Sequence, residues 1–103
     1  MLMTTQDKLE NYEIVETLGL VQGNTVQTRH VGRDIMASFK TLVGGEITGY
    51  TELLQTARKE AIERMMMEAQ MLGANAVVAV RFETSDIMQS AAELFVYGTA
   101  VKV

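Results

Sequence analysis

Apolar residues recur at helical spacing through residues 50–72, and this stripe constrains the fold more than any other feature of the chain. It consists of Tyr50, Leu54, Ala57, Ala61, Met65, Ala69 and Leu72. Steps of three and four residues place these side chains on one side of an α-helix. Ile62 and Met66 widen the stripe, and Gly73 follows it, where a residue without a Cβ suits the left-handed end of a helix. The sequence therefore predicts one long amphipathic helix.

The opposite side of this helix carries charges of alternating sign. Three pairs stand four residues apart: Lys59 with Glu63, Glu60 with Arg64, and Arg64 with Glu68. Each such pair stabilises a solvated helix by about 0.3 kcal/mol. These charges mark the side of the helix that faces water.

A strand and a turn are predicted in the N-terminal part of the chain. Residues 12–21 are rich in β-branched side chains and, if extended, place one set of residues on the same side: Tyr12, Ile14, Leu18 and Leu20. Gln22-Gly23-Asn24 then offers turn residues, because Gly and Asn tolerate positive φ. Residues 25–27 continue as extended chain beyond this turn.

A short amphipathic helix is predicted over residues 31–43. Its apolar stripe is made of Val31, Ile35, Phe39 and Leu42, flanked by Met36 and Val43. Gly44-Gly45 closes it, since two residues without Cβ cost too much backbone entropy inside a helix. The same pair suits a close approach of another chain.

Two strands follow the long helix. Residues 76–83 begin with apolar side chains on both faces and then alternate, which is typical of a strand buried on two sides in its first half. Residues 85–90 are polar at their edges and are predicted to form a hairpin connection. Residues 92–103 form a long strand in which Gly98 indicates a bulge or a close backbone contact. The predicted class is α+β, with an antiparallel sheet packed on one long helix plus a short helix.

The strand that starts at Ala76 needs a cover on its second face, because one helix covers a single face of a sheet. Two covers remain open: a second copy of the chain, or the short helix over residues 31–43 folding back within one copy. The chain is interpreted as a single domain over residues 1–103, with residues 1–11 as a flexible N-terminal segment.

Composition excludes several function classes. A net charge of −4 has the wrong sign for binding nucleic acid or anionic lipid by counterion release. The chain has no Cys and one His, which excludes disulfides, thiolate zinc sites and cysteine nucleophiles. No apolar run is long enough to span a bilayer, and polar residues directly follow Met1-Leu2-Met3, so a cytoplasmic location is expected.

The residues that could carry chemistry form weak patterns. His30 with Arg33 and Asp34 is the one group that offers imidazole, carboxylate and guanidinium together, yet a solvated Arg-Asp surface pair explains it more simply. Arg58 adjoins the apolar stripe, where partial burial would require an ion-pair partner. No Lys-Ser or Lys-Thr pair follows Gly44-Gly45, which excludes a phosphate-binding loop.

Metal ligands are equally sparse. The thioethers of Met65, Met66, Met67 and Met71 could hold Cu(I). Core packing is favoured for this methionine cluster, because Met65 lies on the apolar stripe and Met66 beside it. Carboxylates are present at Glu46, Glu52, Glu60, Glu63 and Glu68 without a ligand spacing, and a solvated acidic face explains them.

Four segments in this order resemble the YbjQ-like family of small bacterial proteins. They are Gly32-Arg33-Asp34; Val43-Gly44-Gly45-Glu46; Ala57-Arg58 with Ala61; and Leu72-Gly73-Ala74-Asn75-Ala76-Val77-Val78 together with Tyr97-Gly98-Thr99-Ala100-Val101. The resemblance covers residues 12–103. It implies a dodecin-like α+β subunit assembled in a ring, typically a homopentamer, and a heavy-metal-binding label without a transferable ligand set.

Three functions are weighed. The first is a non-enzymatic oligomer whose ring binds a small ligand or partner, with Arg33, Asp34, Gly44, Gly45 and Arg58 as interface or pocket candidates. The alternative is heavy-metal binding at sites between subunits, although no ligand spacing supports a cofactor. An enzyme using His30 and Asp34 as an acid/base pair comes third.

Overall fold

The computed structural model describes residues 1–28, 48–88 and 91–103, and in these ranges the predicted long helix is confirmed. This helix, α1, spans Thr48–Met71. Ala57, Ala61, Met65 and Ala69 of its apolar stripe are buried. The predicted short helix over residues 31–43 and the Gly44-Gly45 pair lie outside the described residues.

The helix ends as Gly73 predicts. Gly73 has a φ of +84° and its N–H donates to the Gln70 carbonyl at 2.9 Å, while the Ala74 N–H donates to the Ala69 carbonyl at 3.1 Å. These two bonds form a Schellman motif, which satisfies carbonyls that the helix leaves unpaired. Leu72 follows the last helical residue and is 45% exposed, so it does not belong to the buried stripe.

The strands form one sheet across which α1 lies. Their bounds are β1 Leu2–Met3, β2 Glu16–Thr28, β3 Ala76–Met88 and β4 Ala91–Lys102, in the spatial order β1-β3-β4-β2. β2 and β3 each pair with β4 in antiparallel fashion, whereas β1 pairs with β3 in parallel. The α+β class is confirmed, but the sheet is mixed and not purely antiparallel, because the N-terminal residues add a strand that no periodicity predicted.

The predicted turn at Gln22-Gly23-Asn24 is wrong. β2 continues through these residues and pairs with β4 from Glu16 to Thr28. A Cβ at Gly23 would overlap the Ala61 carbonyl oxygen and lie 2.6 Å from the Met65 nitrogen. Glycine is needed here because the backbones of β2 and α1 are in direct contact, not because the chain reverses.

An irregularity near Gly19 changes the faces of the residues before and after it. The register with β4 shifts between Thr17 and Gly19, and Gly19 has a φ of +132°. Leu18 therefore packs against the core under α1, whereas Leu20 is 66% exposed. The prediction that Leu18 and Leu20 share a side is wrong, because an extra residue in one strand reverses the alternation.

The β3–β4 hairpin is longer than predicted. Residues 85–88 belong to β3, and Met88 pairs with Ala91, so the expected connection over residues 85–90 is wrong for its first part. Polar residues are tolerated in this strand end because residues 81–86 are exposed. Gly98 marks a close contact as predicted: a Cβ there would lie 2.7 Å from Val77 Cγ1.

The second face of β3 is covered within one chain. On the side away from α1, Ala76, Val78 and Val101 are buried under Leu9, Ile14 and Val103. The N-terminal segment is held there by backbone bonds, Thr4 N–H to the Val77 carbonyl at 3.0 Å and Ala79 N–H to the Gln6 carbonyl at 2.8 Å. A second copy is therefore not required to shield Val78, which is 4% exposed. The N-terminal segment provides the cover, so the prediction that this strand needs a second copy is wrong.

Candidate functional site

Of the predicted interface and pocket residues, Arg58 is the one that the described residues include. Arg33, Asp34, Gly44 and Gly45 lie outside the described residues, as does His30. Arg58 is exposed on α1, so the expected partial burial of its guanidinium is not found in the single chain. Arg58 lies four residues after Leu54 and three residues before Ala61. This spacing places it on the side of the helix that faces the sheet.

Arg58 lines an open cleft along the N-terminal part of α1. The cleft has a volume of about 560 Å³ and is lined by Glu52, Gln55, Thr56, Arg58, Lys59 and Ile62. Two cations, one carboxylate, an amide and an apolar side chain suit the binding of an acidic or amide-bearing surface.

Among the described residues, α1 covers one part of the sheet incompletely. We call residues 22–28, 81–88 and 91–97 the distal sheet. Helix α1 packs mainly on β2 and least on β3. Phe82 pairs with the buried Val96, which places Phe82 on the α1 side, yet it is 43% exposed. An aromatic side chain on the covered side of a sheet is thus left partly in water.

The other side of the distal sheet presents an aromatic pair. The rings of Phe95 and Tyr97 stack with centroids 5.3 Å apart and 28° between their planes. The Tyr97 hydroxyl lies 3.3 Å from Glu83 Oε1 and donates to it. On β2, Val26 is 54% exposed.

A second cleft lies at the end of the molecule where α1 stops. Its volume is about 550 Å³ and its lining comprises Met1, Leu2, Tyr12, Gln70, Ala74, Asn75 and Val103. Three separate parts of the chain meet here, and Asn75 connects two of them. The Asn75 Nδ2 donates to the Val103 carbonyl at 3.0 Å, and its Oδ1 accepts from the Val103 N–H at 2.9 Å.

We expect Asn75→Ala to release Val103 from this cleft. The substitution removes both side-chain bonds, and since the site is exposed the loss of unfolding free energy should be about 1 kcal/mol. Amide hydrogen exchange at Val103 measures the local effect and should accelerate. Asn24→Ala, which removes one exposed bond to Glu93, is the control and should leave Val103 protected. Unchanged exchange at Val103 in Asn75→Ala would contradict a clamping role.

The methionine cluster divides between core and surface. Met65 is fully buried and Met66 packs partly against the core, as predicted. Met67 is 64% exposed and Met71 is 87% exposed, so core packing is wrong for these two. Helical spacing places both residues outside the apolar stripe. This difference is missed when the four methionines are treated as one cluster.

The charged side of α1 is solvated as expected. Glu52, Glu60, Glu63 and Glu68 are exposed. Of the three predicted charge pairs, whose members are all described, Arg64 with Glu60 forms an ion pair, at 3.0 Å. The Arg64 Nη1 also donates to the Asn24 carbonyl of β2.

Residues 1–28, 48–88 and 91–103 contain neither a ready metal site nor a membrane-crossing helix. In these ranges no group of three or more His, Cys, Asp or Glu side chains is placed to hold a metal ion. The described helix α1 lacks the run of apolar residues that a membrane-crossing helix needs.

Comparison with known proteins shows that the sequence of this chain is similar to those of several other proteins. A family model described as "Putative heavy-metal-binding" matches residues 1–103. A UPF0145 protein of Hahella chejuensis is 60% identical over 101 residues, covering 98% of this chain and 97% of the relative. Another, from Pseudothermotoga lettingae, is 57% identical over 103 residues, covering 100% and 97%. That of Photobacterium profundum is 58% identical over 103 residues, covering 100% of both.

A solved structure shares the fold. It is the crystal structure of a protein of unknown function from Pediococcus pentosaceus that belongs to the DUF74 family. The TM-score is 0.67 at 15% sequence identity, with 100% of this chain and 97% of that chain covered. At this identity the likeness shows the fold alone.

Proposed function

This chain belongs to the YbjQ-like family along its whole length, and from that premise we propose that it is a non-enzymatic protein that assembles with copies of itself and binds a ligand or partner at the resulting interface. The carrying observation is the distal sheet, whose α1 side leaves Phe82 43% exposed. A layer of protein is missing over this part of the sheet in the described residues. Apolar surface left open on one face of a sheet favours association.

The cleft along α1 is a second surface suited to a contact with another copy. It is lined by Ile62, an apolar side chain, together with Arg58 and Lys59. The chain as a whole is acidic, with a net charge of −4. Positive side chains at a contact would offset repulsion between like-charged copies.

The expected assembly is a ring of dodecin-like subunits, with a homopentamer as the first candidate number. Support comes from two surfaces of the molecule: the cleft along α1 and the distal sheet are formed by different residues. A contact between two different patches repeats from copy to copy and closes into a ring when the rotation allows. Arg58, and with it Arg33, Asp34, Gly44 and Gly45, are the candidates for this interface.

We expect Phe82→Asp to reduce the assembled mass. A carboxylate at a dry contact carries an unpaired charge, which disfavours association strongly. Light scattering coupled to size exclusion should give a multiple of the subunit mass for the unchanged protein, five-fold for a pentamer, and a lower multiple for the variant. Arg58→Glu, at an exposed position that the fold does not need, should lower the mass as well.

Leu20→Asp is the matched control, because Leu20 is exposed on β2 at 66% outside the α1-side face. Circular dichroism confirms that each variant is folded. A single-subunit mass for the unchanged protein at micromolar concentration would refute the assembly. Loss of mass in Leu20→Asp alone would refute the assignment of the interface to the Phe82 side.

Heavy-metal binding is the second candidate function. It is supported by the description of the family and by the exposure of two methionines of α1, 64% for Met67 and 87% for Met71. The described residues contain no cluster of carboxylates that could hold a metal ion, so a site built from these carboxylates would need ligands from several subunits. Thioethers offer an alternative within one chain.

A further inference from the structure

Two methionines of α1, Met67 and Met71, are four residues apart and exposed to solvent. Met67 is 64% exposed and Met71 is 87% exposed, while Met65 on the same helix is fully buried. An exposed methionine gains none of the dispersion contacts that make this residue useful in a core. These two thioethers are therefore available to a ligand.

Helical geometry brings the two side chains together. Residues four apart lie one above the other on a helix, with Cβ atoms about 5–6 Å apart. Each methionine side chain has three rotatable bonds, two of which position its sulfur, so both sulfurs can turn toward one point. A single ion seated beside the helix can contact both sulfurs without any movement of the backbone.

The chemistry of the donors selects the ion. Thioether sulfur is uncharged and soft, and it prefers Cu(I) to harder divalent ions, which favour imidazole, carboxylate or thiolate. Ag(I) has the same charge and electron configuration as Cu(I) and serves as its redox-stable probe. Within residues 1–28, 48–88 and 91–103, no His, Cys, Asp and Glu cluster competes for a divalent metal.

We propose that Met67 and Met71 together form a binding site for a soft monovalent metal ion of the Cu(I) class. The inference rests on the second candidate function, heavy-metal binding, and names its ligands and its metal class. It does not depend on self-assembly. The site needs one copy of the chain, although an adjoining copy can add a further donor.

The test is a titration of the full chain with Ag(I), and with Cu(I) under anaerobic conditions against a competing chelator. With methionine methyl groups labelled with ¹³C, the signals of Met67 and Met71 should shift, and that of buried Met65 should not. We expect saturation at one ion per chain. The double variant Met67→Leu, Met71→Leu should bind at least about tenfold more weakly, because it removes the two direct ligands.

Leucine separates metal ligation from apolar contact. It keeps the volume, apolar surface and helix propensity of methionine but has no sulfur. The assembled mass of the double variant should therefore equal that of the unchanged protein. Met66→Leu is the matched control on the same helix, since Met66 packs partly against the core, and it should retain full affinity.

Each contrary outcome has a distinct meaning. Unchanged Ag(I) affinity in the double variant would overturn the site while leaving heavy-metal binding in place. Uptake of Cd(II) or Zn(II) without Ag(I) or Cu(I) would overturn the metal class. No uptake of any of these ions would overturn both this site and the second candidate function. Loss of assembly in the double variant would show that the two methionines form a contact between copies instead.

Discussion

Gly23→Ala is expected to destabilise the fold by about 3 kcal/mol, toward the upper end of what overpacking costs. The new Cβ would overlap the Ala61 carbonyl oxygen and approach the Met65 nitrogen to 2.6 Å. Both are backbone atoms of α1, and neither can rotate away as the end of a side chain can. The helix must move off β2, which opens the core along its length.

Thermal unfolding followed by circular dichroism measures this effect. A loss of about 3 kcal/mol lowers the Tm of a domain of this size by roughly 10–20 °C. Gln22→Ala, at the adjacent exposed position of β2, is the control and should change the Tm little. Because the proposed assembly would make the Tm concentration-dependent, all proteins are compared at one concentration. A Tm for Gly23→Ala equal to that of the control would contradict the direct contact between α1 and β2.

Met65→Ala should cost about 3 kcal/mol as well, within the range for truncating a fully buried methionine. Met65 is 0% exposed and contributes to the core with Val21, Val77 and Val96. Truncation removes its transfer free energy and leaves a cavity that these branched side chains fill poorly. Urea unfolding, with the slope held common to all variants, gives the difference in free energy of unfolding.

Met67→Ala is the matched control, two residues along the same helix. At 64% exposure its truncation removes little buried surface, and the expected change is below about 0.5 kcal/mol. Comparable losses at the two positions would mean that Met67 is buried in the protein as it exists in solution. Such a result would support a contact between copies at that side of α1.

The periodicity of apolar residues correctly predicts the part of the fold in which one face of α1 packs against the core. The stripe through Ala57, Ala61 and Met65 and the stop at Gly73 needed no tertiary information, since spacing and the absence of a Cβ define them locally. The buried start of β3 was equally readable from its run of apolar residues.

Two of the wrong predictions concern residues at or next to a glycine, Gly23 and Gly19. Gly23 has turn-forming neighbours, and its local sequence is the same whether the chain reverses or a helix approaches. Only the position of Ala61 relative to Gly23, more than thirty residues apart in the chain, decides between these cases. The shift at Gly19 likewise depends on the pairing partner β4, which the alternation of residues 12–21 does not contain.

The candidate site was predicted less well than the fold. The position of Arg58 beside the apolar stripe makes it a candidate interface or pocket residue, and the structure adds the cleft that it lines. Helical spacing predicts that Met67 and Met71 are exposed while Met65 is buried. Treating the four methionines as one group hides this difference. The spacing of residues along the sequence predicts which side of a helix each one occupies. It does not predict how far α1 extends across the sheet, and this extent determines which part of the distal sheet stays exposed.

The parallel pairing of β1 with β3 has a consequence for the order of folding. Leu2 pairs with Ala76, so this contact closes a loop that contains β2 and α1. Closing so long a loop costs chain entropy, which is recovered only after the intervening elements have condensed. We therefore expect the N-terminal residues to be among the last to reach their native neighbours, although they are synthesised first. Until Leu9 and Ile14 pack on the sheet, Val78 and Val101 should remain accessible to chaperones and to other nascent chains.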